Sequence, residues 1–172
     1  CVTVDGMRAA DVTLTQVRGA LLGTDGAALE AIDEATDFAT ALLCAEAIGA
    51  MKSANDATLD YMKQRKQFGV PIASFQALQH RMVEMYISTE QARSMAILAA
   101  SKVDSSCDAS ERARAVSAAK IKIADAARQV SQESVQLHGG MGMTEELKVS
   151  HTFRRLTMFA QRLGDAYHYL ER

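Results

Sequence analysis

The chain has no tryptophan, one proline and few aromatics of any kind, which together are 5% of its residues. With Pro71 the only obligate breaker, long uninterrupted helices are open to most of the sequence. Three cysteines, Cys1, Cys44 and Cys107, are an odd number without a CxxC pair or a His/Cys metal spacing. They exclude a disulfide framework and a zinc site, and point to unpaired thiols in a reducing cytoplasm. Neither sign of charge dominates. The 19 basic and 21 acidic side chains are interspersed, leaving no electrostatic footprint for nucleic acid or an anionic membrane. No apolar run approaches the roughly 20 residues needed to span a bilayer, and no charged start precedes an apolar stretch as in a secretory signal. Instead of an initiator methionine the chain opens on Cys1-Val-Thr-Val-Asp-Gly6, so a piece of a longer protein is expected.

What is abundant is alanine and methionine, unbranched residues that favour closely packed helices. At 172 residues the chain can bury a substantial core without a covalent staple. Apolar residues recur at helical spacing over three long stretches. The first runs from about Leu29 to Arg65 through Ala39, Leu42, Leu43, Ala47, Ile48 and Met51. The second runs from a cap at Ser74 to about Val103, with a stripe of Leu78, Met82, Met85, Ile97 and Leu98. The third runs from about Glu111 to His138 through Ala115, Ala119, Ile123, Ala126, Val130 and Leu137, and stops at Gly139-Gly140. A polar turn over 104–110 separates the last two. A shorter helix capped by Thr144 and running to Leu156, then a final one from about Met158 interrupted near Gly164, complete an all-α, antiparallel four-helix-type bundle. Before it, Val2 to Leu22 reads as a hairpin with short β segments around Asp5-Gly6. The predicted division is therefore 1–28, the tail of a β domain and a linker, and 29–172, the helical bundle.

Two segments are more specific than this periodicity: Tyr61-Met-Lys-Gln-Arg-Lys-Gln-Phe-Gly-Val-Pro-Ile-Ala-Ser-Phe-Gln76 and Val135-Gln-Leu-His-Gly-Gly-Met-Gly-Met-Thr144. Taken singly, each has a bland reading. An arginine near a helix end most often offsets the helix dipole. A phenylalanine before glycine is usually a packing residue, and a glycine pair is usually a helix stop. The methionines read as core, and His138, His151 and His168 as packing or surface residues. In this order and spacing, however, the segments resemble the acyl-CoA dehydrogenase family, matching R-x-x-F-G-x-x-(I/L)-x-x-(F/H)-Q and Q-(L/I)-x-G-G-x-G of its carboxyl-terminal helical domain. Thr3-Val-Asp-Gly6 resembles the end of that family's middle β domain. The resemblance implies FAD held across a subunit interface, with Arg65, Gln67 and Phe68 meeting the pyrophosphate and adenosine part of a neighbour's cofactor beside Gln136, Gly139 and Gly140. It also implies an acyl-CoA substrate, a homo- or heterotetramer and an electron acceptor such as an electron-transfer flavoprotein. The chemistry is coherent: a planar guanidinium matches pyrophosphate oxygens, glycines admit close approach, and a glutamine offers both donor and acceptor.

The family's reaction removes an α-proton with a carboxylate while hydride leaves the β-carbon for the flavin. The glutamate that takes the proton stands late in the chain, directly before Gly-Thr or Gly-Ser, or early in the first bundle helix. In this sequence the corresponding positions are Leu163 and Ala39, and neither is acidic. Thr40 replaces the arginine that often follows the early base, and Asp165 replaces a threonine that often bonds the flavin. Glu34, Asp37, Glu46 and Asp165 are the nearest other carboxylates, all offset from the base positions. The ending Leu163-Gly-Asp-Ala-Tyr-His-Tyr-Leu170 resembles small subunits of bacterial heteromeric acyl-CoA dehydrogenases. The expectation is a subunit with no catalytic base of its own that lends flavin contacts to a paralogous partner. The competing expectations are an active homotetramer with a displaced base and a non-enzymatic helical interaction module.

Overall fold

The computed structural model describes residues 1–105 and 108–172. Three long helices dominate it: α1 (Leu29–Gln64), α2 (Gln76–Asp104) and α3 (Ala109–His138). Two shorter ones follow, α4 (Lys148–Phe159) and α5 (Ala166–Glu171). The all-α bundle expected from periodicity is present. Cys107 and part of the expected turn over 104–110 lie outside the described residues.

The core is built from small and flexible side chains. Cys44, Ala47 and Met51 on α1, Met85, Ala92 and Ala99 on α2, and Val116, Ala119, Ile123 and Val130 on α3 are all buried. A polar layer crosses this core. Asn55 Nδ2 donates to Thr89 Oγ1 at 2.9 Å, and Thr58 Oγ1 lies 2.7 Å from Ser134 Oγ, tying α1 to α2 and to α3. Buried hydroxyls that satisfy one another across helices tie their register, because a slip would orphan them.

Several expectations are corrected. Ile97 and Leu98 are exposed rather than part of the buried stripe of α2, whose inner face is Ser88, Thr89, Ala92, Ala96 and Ala99. Leu42 of α1 is likewise exposed. Small residues win the interface because they let helix backbones approach closely, leaving larger neighbours outside. Ser74 does not cap α2: its hydroxyl donates to Pro71 O at 2.7 Å inside a 3-10 turn over Ile72–Ser74, and Phe75 stands at the cap position. Thr144 does not cap α4 either, since its hydroxyl donates to Met141 O at 2.9 Å at the end of a 3-10 turn over Gly139–Met143. α4 itself runs on to Phe159, beyond the expected Leu156, and the last helix begins only at Ala166. The amino-terminal segment carries one isolated antiparallel bridge, Val2 to Arg8, in place of a hairpin of strands. Asp5 anchors this segment: its Oδ2 accepts from Arg155 of α4 at 2.6 Å, and Arg155 also donates to Glu46 of α1 at 2.6 Å.

Candidate functional site

The two sequence segments meet at one end of the bundle. The backbone of α1 leaves its helix at Arg65, whose N–H still donates to Tyr61 O at 2.8 Å. It then makes a minimal antiparallel hairpin of β1 (Lys66–Gln67) and β2 (Val70–Pro71), in which Gln67 pairs with Val70. Phe68 and Gly69 form the tip, both with positive φ (54° and 82°). Glycine takes that conformation freely and a phenylalanine does not, so the tip holds Phe68 in a form its side chain disfavours. Phe68 is 91% exposed, and its ring stands perpendicular to that of Phe75, with centroids 6.1 Å apart.

Alongside the hairpin, α3 ends with its last turn closed by Gly139, whose N–H donates to Gln136 O. Gly139 has φ 62° and ψ −144°, a conformation open in practice only to glycine. Between the two chain reversals lies an open groove of about 460 Å³ whose lining includes Arg65, Gln67, Gln136, Gly139 and Gly140. Five of the six residues singled out in the sequence are therefore brought together. Phe68 is not in the groove and projects from the tip beside it. A side chain at Gly140 would meet nothing within 4 Å, so the space above that backbone is free for a ligand.

Three residues outside those six, His138, Tyr61 and Gly142, support this site, and a fourth, Lys120, supports the turn after α4. His138 and Tyr61 stack across the groove floor, with ring centroids 4.4 Å apart and planes 26° apart. Gly142 is a packing glycine, since a Cβ there would stand 2.6 Å from Val135 O. Lys120, only 1% exposed, donates from Nζ to Phe159 O at 2.9 Å and to Gly164 O at 3.1 Å, and lies over the Phe159 ring at 4.6 Å. Burial pushes its ammonium pKa down. Its signal in the sequence is a lone lysine in the apolar stripe of Val116, Ile123 and Ala127.

The two positions that the resemblance implies for a base, Leu163 and Ala39, lie away from this groove, toward the other end of α1. Leu163 is exposed with φ 57° in the turn before α5, and Ala39 is half-buried on α1. A single hydroxyl joins the two neighbourhoods: Tyr169 donates from Oη to Leu163 O at 2.8 Å and lies 3.0 Å from Thr40 Oγ1. Burial pushes the Tyr169 phenol up. The substitute carboxylates are engaged elsewhere. Asp37 is buried between Arg112 at 3.1 Å and Arg172 at 2.6 Å, and Glu46 accepts from Arg155. Asp165 caps α5 by accepting from His168 N at 3.0 Å. Glu34 is exposed on the first turns of α1.

The site is thus a short hairpin after α1 set beside the glycine-closed end of α3. Residues 29–165 match the family described as "Acyl-CoA dehydrogenase, C-terminal domain", and the chain belongs to the acyl-CoA dehydrogenase family. It is 38% identical over 136 residues to acyl-CoA dehydrogenase IpdE2 of Mycolicibacterium smegmatis, covering 79% of this chain and 41% of that protein. Among solved structures, butyryl-CoA dehydrogenase from Megasphaera elsdenii superposes with a TM-score of 0.81 at 28% identity, over 87% of this chain and 38% of that one. The ChsE4-ChsE5 complex from Mycobacterium tuberculosis gives 0.74 at 28% identity, over 80% and 36%. This chain thus spans about two fifths of the length of such relatives.

The groove's donor set fits the pyrophosphate and nucleoside of FAD. It offers a guanidinium, glycine backbone with open space above it, an amide side chain and a largely buried imidazole edge. Among the described residues, no group of three or more His, Cys, Asp or Glu side chains is placed to hold a metal. No helix among them is long and apolar enough to cross a membrane.

Proposed function

We propose that this chain is part of an acyl-CoA dehydrogenase subunit that lacks a catalytic base and completes the FAD site of a paralogous partner. FAD, when bound, supplies the redox chemistry of α,β-dehydrogenation of an acyl-CoA thioester. The chain's own part is positioning. Arg65 offers parallel N–H donors to pyrophosphate oxygens, and Gln67 and Gln136 offer amide donors and acceptors. Gly139 and Gly140 let the cofactor lie close to the backbone, and Phe68 packs on an apolar face outside its own chain. Residues 1–28 are the end of a preceding β domain. The finished assembly is a mixed tetramer passing electrons to an electron-transfer flavoprotein-type acceptor.

The observation that supports this reading is the contrast between the two ends of α1. One end presents an open groove beside an aromatic ring that its own chain barely covers. At the other, both base positions carry aliphatic side chains, and Asp37, Glu46 and Asp165 are committed to arginines or a helix cap. Proton abstraction needs a carboxylate within about 3 Å of the carbon acid, and neither of these positions carries one.

The test is purification of the full protein alone and co-expressed with its genomic neighbour, followed by flavin counting and turnover on an acyl-CoA panel. FAD and activity are expected only in the mixed complex. Arg65→Ala there should weaken FAD by about 1.5–3 kcal/mol. Full FAD occupancy and turnover by the single purified protein would overturn the proposal.

A further inference from the structure

Two aspartates in the chain are followed by glycine, Asp5 and Asp25. An aspartyl-glycyl link is the one most open to succinimide closure, because a residue without a side chain leaves its backbone nitrogen approachable by the preceding carboxyl. Both glycines take a left-handed backbone, with φ 81° at Gly6 and 75° at Gly26. Their surroundings are opposite. The Asp5 side chain is 2% exposed and is held by Arg155 at 2.6 Å and by the Thr3 hydroxyl. The Gly6 N–H is engaged too, donating to Thr3 O at 2.9 Å. Asp25 and Gly26 are exposed at the centre of a turn that the Ala27 N–H closes by donating to Thr24 O at 3.2 Å. Among the described residues, neither the Asp25 carboxylate nor the Gly26 N–H has a hydrogen-bond or ion-pair partner. The two groups that must react are therefore both tied at the first site and both free at the second. The Thr3 hydroxyl and Arg155 also hold the Asp5 pKa at about 2, which keeps that carboxyl ionised and a poor target for a nitrogen nucleophile.

We infer that Asp25-Gly26 is a site of spontaneous isoaspartyl modification, and that the contacts of Asp5 and Gly6 protect the other pair from it. The Gly26 nitrogen attacks Cγ of Asp25, and the carboxyl hydroxyl leaves as water with the nitrogen's proton. Water then opens the resulting ring at one of its two carbonyls. Opening at Cγ restores aspartate. Opening at the α-carbonyl breaks the original peptide bond, routes the main chain through Cβ and Cγ, and leaves the α-carboxylate as the side group. No oxidant takes part, and mass and net charge are unchanged. Asp25 lies between the segment that Asp5 moors to α4 and the first residue of α1, Leu29. The added main-chain atom thus lengthens this connector and leaves the packed core alone. The new α-carboxylate is exposed, in the form that a carboxyl methyltransferase using S-adenosylmethionine can esterify.

The experiment ages the full protein at neutral pH and physiological temperature. Isoaspartate is counted by methyl transfer from labelled S-adenosylmethionine with an isoaspartyl-specific methyltransferase, and placed with an endoprotease that cuts before aspartate but not before isoaspartate. In the folded protein Asp25 should convert about tenfold faster than Asp5 or more, the protection that one charge-assisted contact confers on Asp5. In denaturant the contacts of Asp5 and Gly6 are released, and the two sites should convert at similar rates. Gly26→Ala, whose added methyl crowds the attacking nitrogen, should suppress labelling at Asp25 and leave Asp5 as it was. Arg155→Ala should raise conversion at Asp5 toward that of Asp25, and the wild-type comparison stands without it if that variant does not fold. Equal rates at the two sites in the folded protein would overturn the inference. So would a difference that persists in denaturant, because it would trace the contrast to flanking sequence and not to the contacts around Asp5.

Discussion

Single buried polar groups set the tolerances of this bundle. Lys120 is the most demanding, because its ammonium is the donor for three carbonyl oxygens that end or follow α4, those of Phe159, Ala160 and Gly164. Lys120→Met preserves much of the volume but leaves all three carbonyls without that donor. A loss of about 2–4 kcal/mol is expected, read by denaturant titration, with the turn over 160–165 becoming the first region to exchange amide protons. Cys44 behaves as a core residue. Burial pushes its thiol to about 12, from 9.0, although the nearby Lys120 charge opposes the rise. At pH 8 an alkylating reagent should modify Cys1, which is exposed, at once, and Cys44 only at the rate of unfolding. The sign of the linkage follows from the raised value. The neutral thiol's contribution is whole below pH 9 and is lost as pH climbs toward 12, so Cys44→Ala should flatten the alkaline fall in stability.

At the scale of elements, the glycines of the turn after α3 separate scaffold from site. Gly142→Ala drives a Cβ to 2.6 Å from Val135 O, a backbone atom that cannot swing away, and should lower the melting temperature clearly. Gly140→Ala meets nothing within 4 Å and its φ is not positive, so stability should hold within about 0.5 kcal/mol. Nucleotide binding should nevertheless fall, because the new methyl occupies the space above the backbone. The three long helices were legible from periodicity to within two residues at each end, since their apolar spacing repeats over many turns. Caps were not legible: Ser74 and Thr144 have the right chemistry, but each spends its hydroxyl on a carbonyl inside a 3-10 turn. The stripe of α2 misled because size was weighed above fit, and alanines rather than Ile97 and Leu98 face α3. The groove's outline was readable from its two segments. The Tyr61–His138 stack was not, because it joins residues far apart in sequence and neither carries a local signal.

Over the whole molecule, one carboxylate moors the amino-terminal segment to the bundle. Thr3's hydroxyl and Arg155 hold the Asp5 pKa down at about 2, against 3.8 for a free side chain, while burial opposes them. The depressed value means that this mooring is fully present above pH 4 and is lost as pH falls through 2. Hydrogen exchange of residues 1–9 should therefore accelerate over that window ahead of the helices, and Asp5→Asn should show the loosened exchange already at pH 7. One turn along α4 from Arg155, the Lys120 clamp works mainly through backbone. It grips carbonyl oxygens, which every residue possesses, so the path of the chain through 163 does not depend on which side chain stands there. Such a clamp lets an inert side chain at 163 be exchanged for a reactive one without rebuilding the turn that displays it. Leu163→Glu should accordingly leave the melting temperature nearly unchanged, a change of side chain and not of fold.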